Sequence, residues 1–170
     1  FLGNHGIGFC YYMLGLYRTA IPFSLKAVEL SPYYFWPKVI LAWCFDGIGE
    51  LAKREQYFLD ALKLNPANPF ALVYYADHLT KAGKYDEAEK MIREVERVAP
   101  DFSLLPLRKA QLLAIRGEKE KALGLTRGSS LVCSLLGMKD EAIQIMQKSI
   151  DEGGFYPYLS LVNNPFYNNL

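Results

Sequence analysis

The chain has 170 residues and a net charge of +1, a balance that argues against a polyanionic partner held by bulk electrostatics. It is 51% apolar and 14% aromatic, so some apolar side chains must lie on exposed faces as well as between elements. No run reaches the ~20 apolar residues of a bilayer crossing, no basic segment opens a signal peptide, and the odd number of cysteines argues against a disulfide framework.

Residues 1–34 are expected to form two helices around Gly15. Gly3, Gly6 and Gly8 weaken the first by about 1 kcal/mol each relative to alanine. Pro22 is tolerated in the second if Thr19 is the N-cap and Pro22 stays in the first turn. Residues 35–68 are the most aromatic stretch, with Phe35, Trp36, Trp43, Phe45, Tyr57 and Phe58, and Pro37 falls harmlessly in a first turn. Residues 69–102 are the most regular. Asn68-Pro69 gives a side-chain cap followed by the residue whose missing N–H costs nothing at a helix start. Leu72, Tyr75, Ala76 and Leu79 recur at helical spacing, and Gly83 ends the helix. A second helix over about 85–98 buries Ala88, Ile92 and Val95, stops before Pro100, and turns Glu87, Glu89, Lys90, Arg93, Glu94, Glu96 and Arg97 outward as a solvated face.

From residue 103 the pattern begins regularly, with Ser103 as N-cap, Pro106 in the first turn and Gly117 at the turn. Gly137 then follows too soon for two full helices, so two short ones are expected, about 118–126 and 129–136, broken at Arg127-Gly128. A full helix over Lys139–Asp151 comes next. Residues 153–170 carry no charge and several rings, and read as a cap over the last helix pair.

Shifted by 34 residues, the first four segments superpose. Gly15, Gly49, Gly83 and Gly117 share one column, and Pro32, Pro66 and Pro100 another. Gly8, Ala42, Ala76 and Ala110 share a small-residue column; Ala20, Ala88 and Ala122 share a second, where the 35–68 segment has Arg54. This helix–turn–helix period resembles the tetratricopeptide repeat. The resemblance implies an all-α fold, a right-handed α-solenoid of antiparallel helix pairs. It divides the chain into repeats at 1–34, 35–68 and 69–102, a truncated one at 103–127, a degenerate one at 128–152 and the tail at 153–170. Arg54 then implies a looser helix crossing, or a stem that packs while its head reaches water.

The resemblance also implies a concave groove lined by the first helix of each repeat. His5, Val39, Val73, Leu107 and Gln111 belong to that face, and its candidate peptide-binding residues are Phe9, Tyr12, Trp36, Ile40, Trp43, Asp46, Phe70, Tyr74, Asp77, Lys81 and Arg108. The rings would anchor a ligand and the charges set its register. The family's two-carboxylate clamp for chaperone C-termini would need cationic and amide groups where this chain has His5, Phe9, Ile40, Phe70 and Tyr74, so that mode is rejected.

The expected function is a protein–protein interaction scaffold holding an apolar or amphipathic peptide segment, with no catalysis, cofactor, metal, nucleic acid or membrane insertion. Cys10, Cys44 and His78 share one column, but adjacent helices lie too far apart for that row to close on zinc, and small buried thiols are expected instead. Competing expectations fill the groove with flanking chain or the tail, or pair two copies through it as a homo-oligomer. The alternative reading is a C-terminal regulatory module of a multidomain bacterial signalling protein (kinase, cyclase or transcriptional regulator). The start at Phe1 suggests a piece of a longer chain, and a cytoplasmic setting is expected.

Overall fold

The structure is a computed structural model that describes residues 2–126, 128–153 and 167. The described residues form ten helices and no strand. They fall into two compact units, Phe1–His78 and Leu79–Leu170, described in turn.

The first unit holds α1 (Leu2–Met13), α2 (Tyr17–Leu30), α3 (Trp36–Gly47), α4 (Leu51–Leu64) and most of α5 (Pro69–Lys81). Gly15 and Gly49 turn the chain between paired helices with φ of 73° and 77°, a left-handed conformation that glycine adopts without penalty. Helix α1 packs on α2, α3 on α4, and α2 on α3. The small-residue columns mark the crossings: Gly8, Ala20, Ala27, Ala42 and Ala61 are buried. The Asn68 side chain accepts a bond from the Ala71 amide at 3.1 Å and caps α5 as the sequence indicates.

Two local expectations are corrected. Helix α2 begins at Tyr17, not after Thr19, so Pro22 lies inside it. The amide it lacks would have bonded the Arg18 carbonyl; both residues are exposed, so water can take that place. The head of Arg54 does not extend into water as expected. It is buried, and its guanidinium donates to the Asp46 carboxylate across the Gly49 turn.

The second unit contains α6 (Tyr85–Val98), α7 (Leu105–Ile115), α8 (Lys119–Leu125), α9 (Ser130–Leu135) and α10 (Lys139–Asp151). Both short helices and α10 lie where the turn glycines placed them. Gly128 has φ of 87° between α8 and α9; Arg127 lies outside the described residues. Ala110, Ala114, Ala122 and Val132 form the core, with Leu107, Leu113, Leu123, Leu135 and Leu136 against it. Ser129 caps α9, whereas Ser103 does not cap α7, whose N-cap is Leu104 with no side-chain bond. The charged face of α6 is only partly solvated. Arg116 of α7 donates to Glu89 at 2.7 Å and Lys109 to Glu96, so two ion pairs join the helices over a cleft of about 240 Å³. The expected cap falls outside the described residues except for Gly153 and Tyr167, whose hydroxyl lies 3.0 Å from Ser130 Oγ.

Candidate functional site

The first unit gathers its rings into one connected wall. Tyr12 of α1 stacks on Trp43 of α3, with centroids 5.1 Å apart and planes 24° from parallel. Trp43 meets Tyr74 of α5 edge-on at 4.8 Å and 88°. Trp36, two turns N-terminal to Trp43 on α3, lies 6.2 Å from it, 5.9 Å from Tyr74 and 5.4 Å from Phe70. Phe9 extends the wall from Tyr12 at 6.3 Å. The 34-residue register accounts for part of it: Trp36 and Phe70 share one column of stacked first helices, while Tyr12 and Tyr74 meet Trp43 from positions three residues, about one helical turn, out of its column.

These residues differ in access. Phe9 is 41% and Phe70 38% exposed at the edges, while Tyr12, Trp36, Trp43 and Tyr74 are half-buried between them. Ile40 is corrected: at 1% exposure it belongs to the core with Ala20 and Cys44, because α2 covers its slot. Val39 and Val73, expected on the same face, are fully buried too, and in the second unit Gln111 is buried. Asp46 is the counter-charge of the buried Arg54 rather than a free register group. Lys81 and Arg108 belong to the second unit, where Arg108 donates to Gln111 Oε1 at 2.6 Å.

Sequence reasoning missed part of the wall. Tyr17 joins Tyr12 at 6.0 Å. Phe35 joins Trp36 at 4.9 Å, and through Tyr34 the chain of rings reaches His5 at 5.5 Å. Tyr17 opens α2 and His5 already belonged to the expected face; Tyr34 and Phe35 lie in the turn before α3, outside the helical slots that periodicity picks out. The available signal was their clustering in sequence, Tyr33 to Trp36.

The wall is apolar, and its Tyr12 phenol and the Cys44 thiol beside it stay neutral. Burial raises the Tyr12 phenol above its ordinary value, with Tyr17, Cys44, Asp46 and Asp77 adding to the shift, so Tyr12 keeps its proton and can donate. Burial likewise pushes the Cys44 thiol up to about 12, which keeps it from acting as a nucleophile near neutral pH. Cys10, expected to be buried, is exposed on α1. His78 is a core histidine, stacked on Tyr75 at 5.6 Å and 5.5 Å from Phe58. Among the described residues no group of three or more His, Cys, Asp or Glu could hold a metal ion, and no helix is long and apolar enough to cross a membrane.

Comparison with known proteins agrees with this architecture. Residues 55–112 match the family described as tetratricopeptide repeat. No curated protein matches the chain. Among solved structures, the fold is similar to that of a thermophilic TPR protein from Thermus thermophilus, with a TM-score of 0.70 at 17% identity over 97% of each chain. It is also similar to pilF of Pseudomonas aeruginosa, with a TM-score of 0.67 at 20% identity, over 94% of this chain and 79% of that one.

Proposed function

We propose, since residues 55–112 match the tetratricopeptide-repeat family and the fold is similar to that of solved TPR proteins, that the ring wall of the first unit holds an apolar or amphipathic segment of another polypeptide. The fold is that of a scaffold for protein–protein contact, and the wall is the surface best suited to that work. Phe9, Tyr12, Trp36, Trp43, Phe70 and Tyr74 are its anchors.

The observation that carries this reading is the connectivity of half-exposed rings across three helices. Aromatic side chains bring large contact area with few torsions to freeze. Here each ring is already braced by its neighbours, so a ligand would meet a preorganised surface and binding would cost little ordering entropy. With the Asp46 charge matched by Arg54, the wall favours apolar over charged ligand side chains.

The test is a fluorescence titration with apolar and amphipathic helical peptides, reading Trp36 and Trp43, the two tryptophans of the chain. Trp43→Ala is expected to weaken a bound peptide by about 30-fold, the equivalent of about 2 kcal/mol at an interface anchor. Binding unchanged in Trp43→Ala would overturn the assignment.

A further inference from the structure

Two seams between neighbouring repeats are built alike and filled differently. In the first unit, α4 meets α5 through Phe58, Tyr75 and His78, with ring centroids 5.5 Å, 5.6 Å and 6.2 Å apart and all three residues buried. Shifted by 34 residues, the same slots hold Ile92 of α6 and Lys109 and Leu112 of α7. None of them is a ring, and this seam, within the second unit, holds a cleft of about 240 Å³. Its floor is Ile92 and Leu112, both buried, with Leu113 beside them. Both walls are internal helices, each followed by another described helix.

The rim is charged and unequal, with Arg93, Lys109 and Arg116 set against Glu89 and Glu96. At one end Lys109 and Glu96 pair one to one. At the other, two guanidiniums share one carboxylate: Glu89 accepts from Arg93 at 2.6 Å and from Arg116 at 2.7 Å. These bonds hold its carboxyl below the usual carboxylate range. Asp86 stands 3.8 Å from Arg116, on a side chain that is 96% exposed. A guanidinium has five N–H donors, so this end keeps donors for a second carboxylate. In the ring-filled seam the slot of Arg93 holds Leu59.

We propose that the α6–α7 cleft binds a small aromatic carboxylate. Its ring lies over Ile92 and Leu112, in the space that rings of the chain itself fill between α4 and α5, and its carboxylate lies on Arg93 and Arg116. A cavity of about 150 Å³ lined by apolar side chains takes a benzene ring, so this cleft has room for a ring and a short chain. The site belongs to the second unit and does not rest on the reading of the ring wall in the first.

Titration of the 170-residue chain with hydrocinnamate, followed in methyl proton–carbon spectra, tests this. The Ile92, Leu112 and Leu113 methyl signals are expected to shift along one saturation curve with a Kd of about 1 mM, in keeping with so small a ligand. The alcohol and amine analogues should bind about tenfold more weakly, since they lack the carboxylate. Arg93→Gln should cost the acid about the same factor and leave the alcohol unaffected. Ile92→Phe, which supplies the ring that Phe58 gives the other seam, is expected to abolish binding. Far-UV circular dichroism checks that its helices persist; if they do not, Leu113→Phe fills the cleft from α7. Methyl signals that stay in place up to about 10 mM acid would overturn the proposal. So would an amine that binds as tightly as the acid, or shifts confined to the Trp36 and Trp43 indoles, which would place the ligand on the wall instead.

Discussion

Arg54 occupies the slot that holds Ala20, Ala88 and Ala122 in other repeats, each fully buried. Its side chain is 10% exposed and that of its partner Asp46 35%, so the two partners are unequal when the pair is broken. Arginine cannot shed its charge, whereas Asp46 can turn to water. Asp46→Asn is therefore expected to destabilise the chain by about 2–4 kcal/mol, somewhat below the about 3–5 kcal/mol of a fully buried pair because the Asp46 side chain is partly exposed. Arg54→Met, which removes the charge and keeps the stem, should stay within about 1 kcal/mol of the parent. Urea midpoints for the two variants check the asymmetry, and equal losses would contradict it.

His5 gives a pH dependence of known sign. Burial lowers its pKa from 6.5, so the unfolded chain binds the proton more readily than the folded one. The stability associated with neutral His5 is fully present above pH 6.5 and is lost as the pH falls through the lower, folded-state value. Between about pH 7.5 and about 5.5 the urea midpoint of the parent should fall more than that of His5→Gln. Parallel profiles would show that His5 does not contribute. The sequence indicated the column His5 occupies, but not its ring contact with Tyr34, which is fixed by the turn before α3.

At the level of elements, one substitution should have opposite signs in two helices. Gly6 in α1 has open space where a Cβ would stand, and Gly6→Ala is expected to stabilise by up to about 1 kcal/mol through helix propensity. Gly47 closes α3 against Tyr17, and a Cβ there would overlap the ring. Gly47→Ala is expected to cost about 1–3 kcal/mol from overpacking, read from thermal unfolding. The helix pattern itself was legible in sequence, because turn glycines and buried alanines are dictated by local geometry: Gly15, Gly49, Gly83 and Gly117 all have positive φ. Pairings between helices were not. The Arg54–Asp46 bond spans a turn, and the Glu89–Arg116 and Glu96–Lys109 pairs join separate helices. The burial of Ile40 depends on α2 lying over it. Each requires knowing which side of a helix its neighbour covers, and an apolar column alone looks the same on either side.

For the molecule as a whole, the aromatic columns indicated where the wall would be, and the structure brings Phe9, Tyr12, Trp36, Trp43, Phe70 and Tyr74 into it. What the columns could not separate was a wall facing solvent from one consumed in packing. The two tryptophans are partly buried, with exposed phenylalanines at the edges, so the wall is not wholly consumed in packing. Since Trp36 and Trp43 are the two tryptophans of the chain, their indole N–H signals in a nitrogen-15 spectrum report on this wall directly. On titration with an apolar helical peptide whose binding is established by calorimetry, both signals are predicted to shift along one saturation curve. A peptide that binds while both indole signals stay in place would contradict the account.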